Sequence, residues 1–390
     1  MLESNPIRTS DLRIHNQKII LQRIYEARKT GICQSELVVE TGLKAPTIFR
    51  IFSFLEEQKL IKVLKGGYDD GQIRKGRKPA VYTVCEDALY TIGLEFWVSS
   101  ISLGIFNFNG DRVFSRIEPL KANITVKEIT DLIISLTNEA VNSINIDKNK
   151  VIGLGIAAPG QVDVIKRRIM SYPRISEMKN IDLADELEKK LNLPVILHNN
   201  CSVIALSEFH HGSYNHRGSL FTFLLRAGIN GAFVDNKGIY ITSQGITLES
   251  GHIPLGAGGP ACFCGIDGCL ESHISALDKA NTQSGKPLFS GLEERLASGD
   301  NSAKVITAKA AEYLFMGTKS IMRFFTPRSF LIMANGDLLS QSIAENLTNY
   351  WARESDVFIN EKPWFFSHGY NTLDAQRGAS DMVMNNYFSG

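Results

Sequence analysis

Three of the chain's six cysteines fall within eight residues, and a histidine lies ten positions upstream of the first of them. The four residues are His252, Cys262, Cys264 and Cys269. One imidazole and three thiolates form a complete tetrahedral shell for Zn²⁺, and two glycines inside the cluster let the backbone turn tightly enough for the thiolates to face one ion. Because no coordination position is left for water, the pattern predicts a structural zinc site rather than a hydrolytic one. Three ordinary buried thiols and a surface histidine are the less favoured alternative.

The residues around this cluster are Glu249-Ser-Gly-His252 and Gly259-Pro-Ala-Cys262-Phe-Cys264-Gly-Ile-Asp-Gly-Cys269-Leu-Glu271. They resemble the signature of the ROK family (repressor, open reading frame, kinase). That family contains bacterial sugar kinases and sugar-responsive repressors. The resemblance extends over nearly the whole chain, and it implies a body of two actin-like, ribonuclease H-like lobes with a cleft between them.

The charge of the chain is unevenly distributed. The formal net charge is only +1, but residues 1–80 contain 15 basic and 9 acidic residues, whereas the remainder contains 27 and 32. A small basic unit on a mildly acidic body indicates that the N-terminal part meets a polyanion. A length of 390 residues predicts two or three domains, because it exceeds what one compact core usually organises.

The sequence also predicts the cellular compartment. The first residues, Met-Leu-Glu-Ser-Asn-Pro, do not form a basic-then-apolar secretion signal, and no apolar run approaches membrane-spanning length. The clustered cysteines favour metal binding in a reducing compartment over disulfide bonds. We therefore expect a cytoplasmic protein.

Hydrophobic periodicity predicts three helices in the N-terminal part. The first covers residues 15–29, the second covers 36–41 with Ser35 as its N-cap, and the third begins near Pro46. Its predicted buried stripe is Ile48, Ile51, Phe52 and Leu55. Two helices joined by a glycine-containing turn are typical of the helix-turn-helix motif, whose second helix enters the major groove of DNA. The residues expected to reach bases or phosphates are Lys44, Thr47, Phe49 and Arg50.

A basic, glycine-rich segment follows these helices. It lies between strand-like residues 60–64 and 80–84, and its cations are Arg74, Lys75, Arg77 and Lys78. Strand, basic loop and strand predict a wing that contacts phosphates or a narrow minor groove, with a flexible basic linker as the alternative. The segment also resembles the winged domain of ROK repressors, where a Gly-Arg-Lys/Arg-Pro turn recurs. The predicted partner is therefore a double-stranded DNA operator.

From residue 86 onward, strand-like and helix-like segments alternate. The pattern predicts a hairpin over 90–96 and 101–108, a helix over 126–144 and a buried strand over 151–157. Further segments follow: helices over 181–191 and 203–210, and strands over 195–198, 220–225 and 232–235. This order is typical of an α/β fold. With the resemblance, the expected fold is α/β: an N-terminal winged helix-turn-helix followed by a two-lobed actin-like, ribonuclease H-like body with a structural zinc loop.

The expected domain limits follow from the same pattern. The winged helix-turn-helix covers 1–85. Lobe I covers 86–200 together with 371–390. Lobe II covers 201–370 and contains the zinc loop and an oligomerisation surface.

The parts that the family's kinases use for catalysis are altered in this chain. The first phosphate-binding hairpin, usually Asp-x-Gly-Gly-Thr, is replaced by Gly93-Leu94-Glu95-Phe96-Trp97, so that a carboxylate would repel phosphate. The position of the catalytic aspartate holds Asn200, and an amide cannot accept a proton from a sugar hydroxyl. The second phosphate loop survives only in part, as Arg226-Ala-Gly-Ile-Asn-Gly231, and the adenine-side glycine pair is reduced to Ala334-Asn335-Gly336. We expect no catalytic residue and no phosphoryl transfer.

The sugar-contacting residues of the family are better matched. By resemblance, the sugar-binding residues are Asn199, Asn200, Glu249, His252 and Glu271. Carboxylates, amides and an imidazole suit a polyol, because each hydroxyl both donates and accepts a hydrogen bond. The alternative is that Asn199 and Glu249 only cap a helix or lie at the surface. Arg226 leaves an anionic ligand such as a sugar phosphate open.

These features predict a sugar-responsive transcriptional regulator, in the form of a repressor, built on a catalytically silent kinase body. A homodimer or homotetramer would bind two half-sites of an inverted repeat. The competing interpretations are an active ROK sugar kinase with an appended DNA-binding domain, a DNA-binding protein whose body only oligomerises, and an activator. The identity of the sugar is left open by the sequence.

Overall fold

The computed structural model describes residues 9–64, 79–214, 218–279, 281, 286–355, 357, 359 and 361–389. The N-terminal part contains three helices and a three-stranded sheet of order β1-β3-β2. Its elements are α1 (Thr9–Glu26), β1 (Ile32–Cys33), α2 (Gln34–Thr41), α3 (Ala45–Glu57), β2 (Ile61–Val63) and β3 (Val81–Val84).

Helix α3 begins and packs as its sequence predicts. Pro46 lies in its first turn, where a missing N–H costs nothing, and the predicted stripe of four apolar residues is buried. The predicted start of α2 was wrong. The N-cap is Cys33 rather than Ser35, and its backbone N–H donates to the Glu36 carboxylate at 2.7 Å.

The N-terminal part shares its hydrophobic core with the body. Ile20, Ile24 and Phe52 belong to the same buried cluster as Phe108 and Phe388, which lie in the body. The ring of Tyr25 on α1 lies 5.4 Å, centroid to centroid, from each of these two body phenylalanines. The N-terminal part is therefore docked against the body through apolar packing.

The first half of the body is built on a five-stranded sheet of order β11-β7-β4-β5-β6. Its strands are β4 (Tyr90–Phe96), β5 (Ser100–Asn107), β6 (Arg112–Pro119), β7 (Val151–Ala158) and β11 (Val195–Asn199). A separate three-stranded sheet contains β8 (Gln161–Asp163), β9 (Arg168–Ser171) and β10 (Lys179–Ile181). The helices are α4 (Val126–Ser143) and α5 (Leu183–Leu191), with a short 3-10 helix at Lys148–Lys150.

The second half contains a five-stranded sheet of order β14-β13-β12-β15-β16. Its strands are β12 (Ser219–Leu225), β13 (Ile229–Asp235), β14 (Gly238–Ile239), β15 (Ser329–Ala334) and β16 (Trp364–Gly369). The remaining helices of the described residues are α6 (Asn200–His211), α7 (Leu270–Ala276), α8 (Leu292–Ala297), α9 (Asn301–Phe324), α10 (Asp337–Arg353) and α11 (Thr372–Ser389), with a 3-10 helix at Ser250–His252.

The two large sheets have the same topology. In each sheet, three strands that are consecutive in the chain pair antiparallel. A fourth strand pairs in parallel with the first of these three, and a fifth strand pairs in parallel with the fourth. Parallel strands need helical crossovers, and those helices cover the sheet faces. Helix α11 packs so closely on β4 and β7 that a Cβ added at Gly93 or Gly155 would lie 1.8 or 1.9 Å from a helix carbonyl oxygen.

Most of the predicted body elements are present. The hairpin over residues 90–108, the helix from 126 and the strand from 151 are confirmed. Three predicted starts were wrong: α5 begins at Leu183 because Ile181 pairs with Ile169 in a sheet, α6 begins at Asn200 rather than residue 203, and β13 begins at Ile229 rather than residue 232. No helix among the described residues combines the length and apolar character that crossing a bilayer requires.

Candidate functional site

A cleft of about 530 Å³ lies where elements of the two halves of the body meet. All five residues predicted to bind sugar line it: Asn199, Asn200, Glu249, His252 and Glu271. Further lining residues that the sequence did not single out are Tyr172, Arg174 and Phe263. A concave site of this size with a few converging polar groups is typical of a small-molecule pocket.

Glu249 is the most perturbed acidic group in the cleft. Its Oε1 is buried and has no hydrogen-bond partner among the described residues. Burial, and then the negative charge of Glu271, raise the pKa of Glu249 to about 7. Glu271 itself accepts a hydrogen bond from the backbone N–H of Ile229 at 2.8 Å, which fixes its carboxylate at the cleft wall.

Asn199 and Asn200 mark the junction between β11 and α6. Asn199 caps the helix, because its Oδ1 accepts from the backbone N–H of Cys201 at 2.9 Å and of Ser202 at 3.3 Å. Its Nδ2 donates to the carbonyl of Gly160 at 2.7 Å. Because these atoms are already engaged, Asn199 holds the shape of the cleft. The half-exposed Asn200 also lines the cleft, and its Oδ1 accepts from the same Cys201 N–H at 2.8 Å.

The four predicted metal ligands are brought together beside the cleft. Their ligand atoms all lie within 4.8 Å of one another: His252, Cys262, Cys264 and Cys269. The Cys262 sulfur lies 3.4 Å from His252 Nδ1, and the sulfurs of Cys264 and Cys269 lie 3.6 Å apart. An ion about 2.3 Å from each sulfur in a tetrahedral shell sets ligand separations of roughly 3.7 Å, so the cluster can bind a metal ion.

A buried ion pair, which the sequence did not predict, lies at one end of the cleft. Arg226 Nη1 lies 2.5 Å from Glu95 Oε1, and both side chains are almost fully buried. The hydroxyl of Tyr370 also donates to the Glu95 carboxylate. The guanidinium carbon lies 4.0 Å from the ring centroid of Trp97 and 3.7 Å from that of Tyr370. We call these four residues the cross-sheet cluster, because they join β4 to residues that follow β12 and β16.

A second carboxylate occupies the N-terminus of helix α10. Glu293 accepts from the backbone N–H of Leu338 at 3.0 Å and of Leu339 at 2.8 Å. The positive end of a helix and its free N–H groups bind phosphate readily when they are open. Here they are bonded to a side chain of the protein itself, and Gly336 passes directly beneath that carboxylate.

The predicted DNA-contacting residues fall into two groups. Phe49 and Arg50 are exposed on α3, and Thr47 is half-exposed beside them. Lys44, the N-cap residue of α3, is also exposed. Phe49 is 62% exposed, which is unusual for an apolar side chain that serves only the core. The other four cations, Arg74, Lys75, Arg77 and Lys78, lie outside the described residues.

The end of helix α6 is joined to strand β16 by a buried carboxylate. Glu208 is buried, and its Oε2 lies 3.0 Å from His368 Nε2 on β16. Burial alone would lower the pKa of His368. The hydrogen bonds with Glu208 and the Gly369 carbonyl, together with the negative charges of Glu208 and Asp374, outweigh burial and raise the pKa to about 9.

The chain belongs to the ROK family, whose model matches residues 91–381. A xylose repressor from Bacillus spizizenii is 25% identical over 321 residues, which are 81% of this chain and 81% of that protein. A glucokinase from Halalkalibacterium halodurans is 32% identical over 163 residues, which are 42% of this chain and 49% of the kinase.

Two solved structures show the same fold. A ROK family transcriptional regulator described as a homolog of the Escherichia coli MLC protein superposes with a TM-score of 0.76 at 19% identity, covering 96% of this chain and 97% of that one. A ROK family glucokinase from Streptomyces griseus, in complex with glucose and AMPPNP, superposes with a TM-score of 0.63 at 20% identity, covering 76% and 99%. The regulator's match includes the N-terminal part, which accounts for its greater coverage of this chain.

Proposed function

We propose that this protein is a sugar-responsive transcriptional repressor in which a cleft without kinase activity controls an N-terminal DNA-binding unit. The proposal is supported by the similarity to xylose repressors over 81% of the chain and by the fold shared with a ROK regulator. In the proposed division, residues 1–85 bind DNA, 86–200 with 371–390 form one lobe and 201–370 form the other. A chromosomal operator implies a cytoplasmic location.

The DNA-binding surface of the proposal is the exposed face of α3. Lys44 and Arg50 suit phosphates or guanine, and Thr47 and Phe49 suit a thymine methyl group. The basic segment that contains Arg74, Lys75, Arg77 and Lys78 is proposed as the wing. A homodimer or homotetramer would place two such units on an inverted repeat.

The observation that carries the sugar site is the buried Oε1 of Glu249, which has no partner among the described residues. An unpartnered buried carboxyl oxygen costs free energy, and a ligand hydroxyl would satisfy it. Asn200, Glu271 and His252 line the same cleft and supply the mixed donors and acceptors that a polyol needs.

The cross-sheet cluster favours an uncharged sugar over a sugar phosphate. The charge of Arg226 is already balanced by Glu95, and its guanidinium lies between two aromatic rings. An anionic ligand would have to displace Glu95 while it also faced Glu249 and Glu271. Like charges in a site of low dielectric constant repel strongly, so a neutral ligand is favoured.

Three features argue against phosphoryl transfer from ATP. Asn200 cannot serve as a general base. Glu95 and Glu293 place carboxylates at the first phosphate hairpin and at the helix N-terminus, where the family's kinases hold nucleotide. The glucokinase relatives keep an active kinase as the second candidate, and that candidate requires ATP to bind.

Zinc is the metal that the ligand set fits best, because three thiolates and one imidazole complete a structural tetrahedron. His252, Cys262, Cys264 and Cys269 would hold it, and zinc would fix the loop between Glu249 and Glu271. The Nδ1 atom of His252 faces Cys262, so we assign the ring's Nε2 to a sugar hydroxyl.

Helix α11 provides a path from the cleft to the DNA-binding unit. Tyr370 of the cross-sheet cluster directly precedes this helix, and Phe388 near its end packs against Tyr25 of α1. Sugar binding would close the lobes and shift this helix. Such a switch works only if the sugar binds the DNA-incompetent state more tightly, at about 1.4 kcal/mol for each tenfold difference in affinity.

A thermal-shift screen of the zinc-loaded protein against sugars and sugar phosphates, with and without ATP, tests the proposal. A sugar at 100 times its Kd should stabilise the protein by about 2.7 kcal/mol. Glu249→Gln should reduce the shift, whereas Glu312→Gln, on an exposed face of α9, should not. A thermal shift with ATP would support the active kinase instead. The absence of a thermal shift with any sugar would support a body that only oligomerises.

A further inference from the structure

Phe263 is an exposed aromatic residue at the mouth of the cleft. It lies between metal ligands Cys262 and Cys264, its side chain is 65% exposed, and it lines the cleft. Its ring lies edge-on to the ring of His252, with centroids 4.9 Å apart and an angle of 84° between the planes. Neither the metal site nor the contacts proposed for a single sugar ring use this side chain.

The loop that carries Phe263 is fixed by its own backbone. The N–H of Gly265 donates to the carbonyl of Cys262 at 3.0 Å, and the N–H of Gly268 donates to that of Pro260 at 2.9 Å. Cys262 and Cys264, on either side of Phe263, belong to the candidate metal cluster, and His252 packs against the ring itself. A rigid apolar face loses little conformational entropy when a ligand covers it.

The cleft has one deep and one shallow end. Glu249 Oε1 is buried, whereas the Phe263 ring is largely exposed, so the polar group lies deep and the aromatic ring lies at the mouth. A volume of about 530 Å³ lies within the range of roughly 300–1,000 Å³ that holds drug-sized ligands, which leaves room beyond one pyranose ring.

We infer that the effector is a disaccharide, with one ring on the polar set around Glu249 and the second ring stacked on Phe263. The inference rests on the proposed sugar site and names its ligand class. A pyranose ring presents C–H bonds on its face, and an aromatic ring is the apolar surface that such a face covers well. Hydroxyls at the edge of the second ring would remain in water, so this end of the cleft needs no further buried polar groups.

The expected gain in affinity is moderate. Covering roughly 50 Å² of apolar surface is worth close to a tenfold decrease in Kd, and fixing the glycosidic torsions offsets part of it. A disaccharide should therefore bind about fivefold more tightly than its component monosaccharide.

Isothermal titration calorimetry on the zinc-loaded full chain measures this ratio. The ligands are D-xylose and D-glucose with their disaccharides xylobiose, cellobiose and maltose. The wild type should prefer at least one disaccharide over its monosaccharide by about fivefold. Phe263→Ala should bring the ratio to about one, and Phe263→Tyr should keep it. Ile266→Ala, an exposed apolar residue of the same loop that does not line the cleft, should keep it too.

The outcomes separate the inference from the function on which it rests. A monosaccharide that binds as tightly as its disaccharides, or a ratio unchanged in Phe263→Ala, overturns the inference and leaves the sugar sensor intact. Binding of none of these sugars, together with no shift in the wider thermal screen, overturns both.

Discussion

The cross-sheet cluster gives a quantitative prediction about how the two halves of the body are joined. Glu95→Gln leaves the Arg226 guanidinium buried without a counter-charge, and Arg226→Met leaves the Glu95 carboxylate in the same position. Breaking a buried ion pair by removing one partner typically costs about 3–5 kcal/mol. Because Arg226 keeps its contacts with the rings of Trp97 and Tyr370, we expect Glu95→Gln to lower the free energy of unfolding by about 3 kcal/mol, the lower end of this range.

The double variant, Glu95→Gln with Arg226→Met, separates the cost of breaking the ion pair from a general loss of packing. With both charges removed, no buried ion remains unpaired, and the cost should fall to about 1 kcal/mol. The coupling free energy from the double-mutant cycle, which is the sum of the two single costs minus the cost of the double variant, should therefore be about 5 kcal/mol or more. Urea unfolding followed by tryptophan fluorescence measures it, because all three tryptophans, Trp97, Trp351 and Trp364, lie in the body. A coupling below about 0.5 kcal/mol would refute the account of this cluster, because an exposed ion pair reaches that value.

Three further predictions concern metal, pH and packing. Cys264→Ala should weaken the binding of zinc, measured by zinc release, and the binding of sugar, measured by calorimetry. An unchanged sugar affinity in the zinc-free protein would contradict the proposed link between the zinc loop and the sugar site. Folding raises the pKa of His368 from 6.5 to about 9, so protonated His368 stabilises the fold by up to about 3 kcal/mol below about pH 6.5, and this contribution is lost as the pH rises through 9. The free energy of unfolding in urea should therefore fall between pH 6.5 and 9.5, and His368→Gln should flatten this dependence on pH. Gly155→Ala should destabilise the protein by more than about 3 kcal/mol, because the new Cβ would meet a carbonyl of α11 at 1.9 Å, whereas Gly256→Ala, with open space around it, should change stability little.

The features that the sequence predicted correctly depend on local spacing. Three cysteines within eight residues are close enough in the chain for their sulfurs to lie a few ångströms apart. The structure brings them together with His252. Alternating apolar residues were enough to find the hairpin from Tyr90, because one strand follows directly on the other. Helix starts were less accurate, since caps such as Cys33 use interactions that residue type alone does not reveal.

The features that the sequence did not predict depend on contacts between distant segments. Glu95 and Arg226 are separated by 131 positions, and Tyr370 lies 275 positions from Glu95. In the sequence, Glu95 and Arg226 indicated altered phosphate loops, and Arg226 left an anionic ligand open. The fold was needed to show that these two residues form a buried ion pair. The carboxylate of Glu293 on the N-terminus of α10 was missed for the same reason.

The most direct test of the central claim is whether sugar in the cleft changes DNA binding by the N-terminal unit. A fluorescent duplex selected from a random-sequence pool by the zinc-loaded protein would be titrated by anisotropy at fixed salt, with and without a saturating concentration of the sugar found by calorimetry. We predict that the sugar raises the Kd for DNA at least about tenfold, that Glu249→Gln reduces this effect, and that ATP has none. A sugar that binds the cleft but leaves the DNA affinity unchanged would contradict the account.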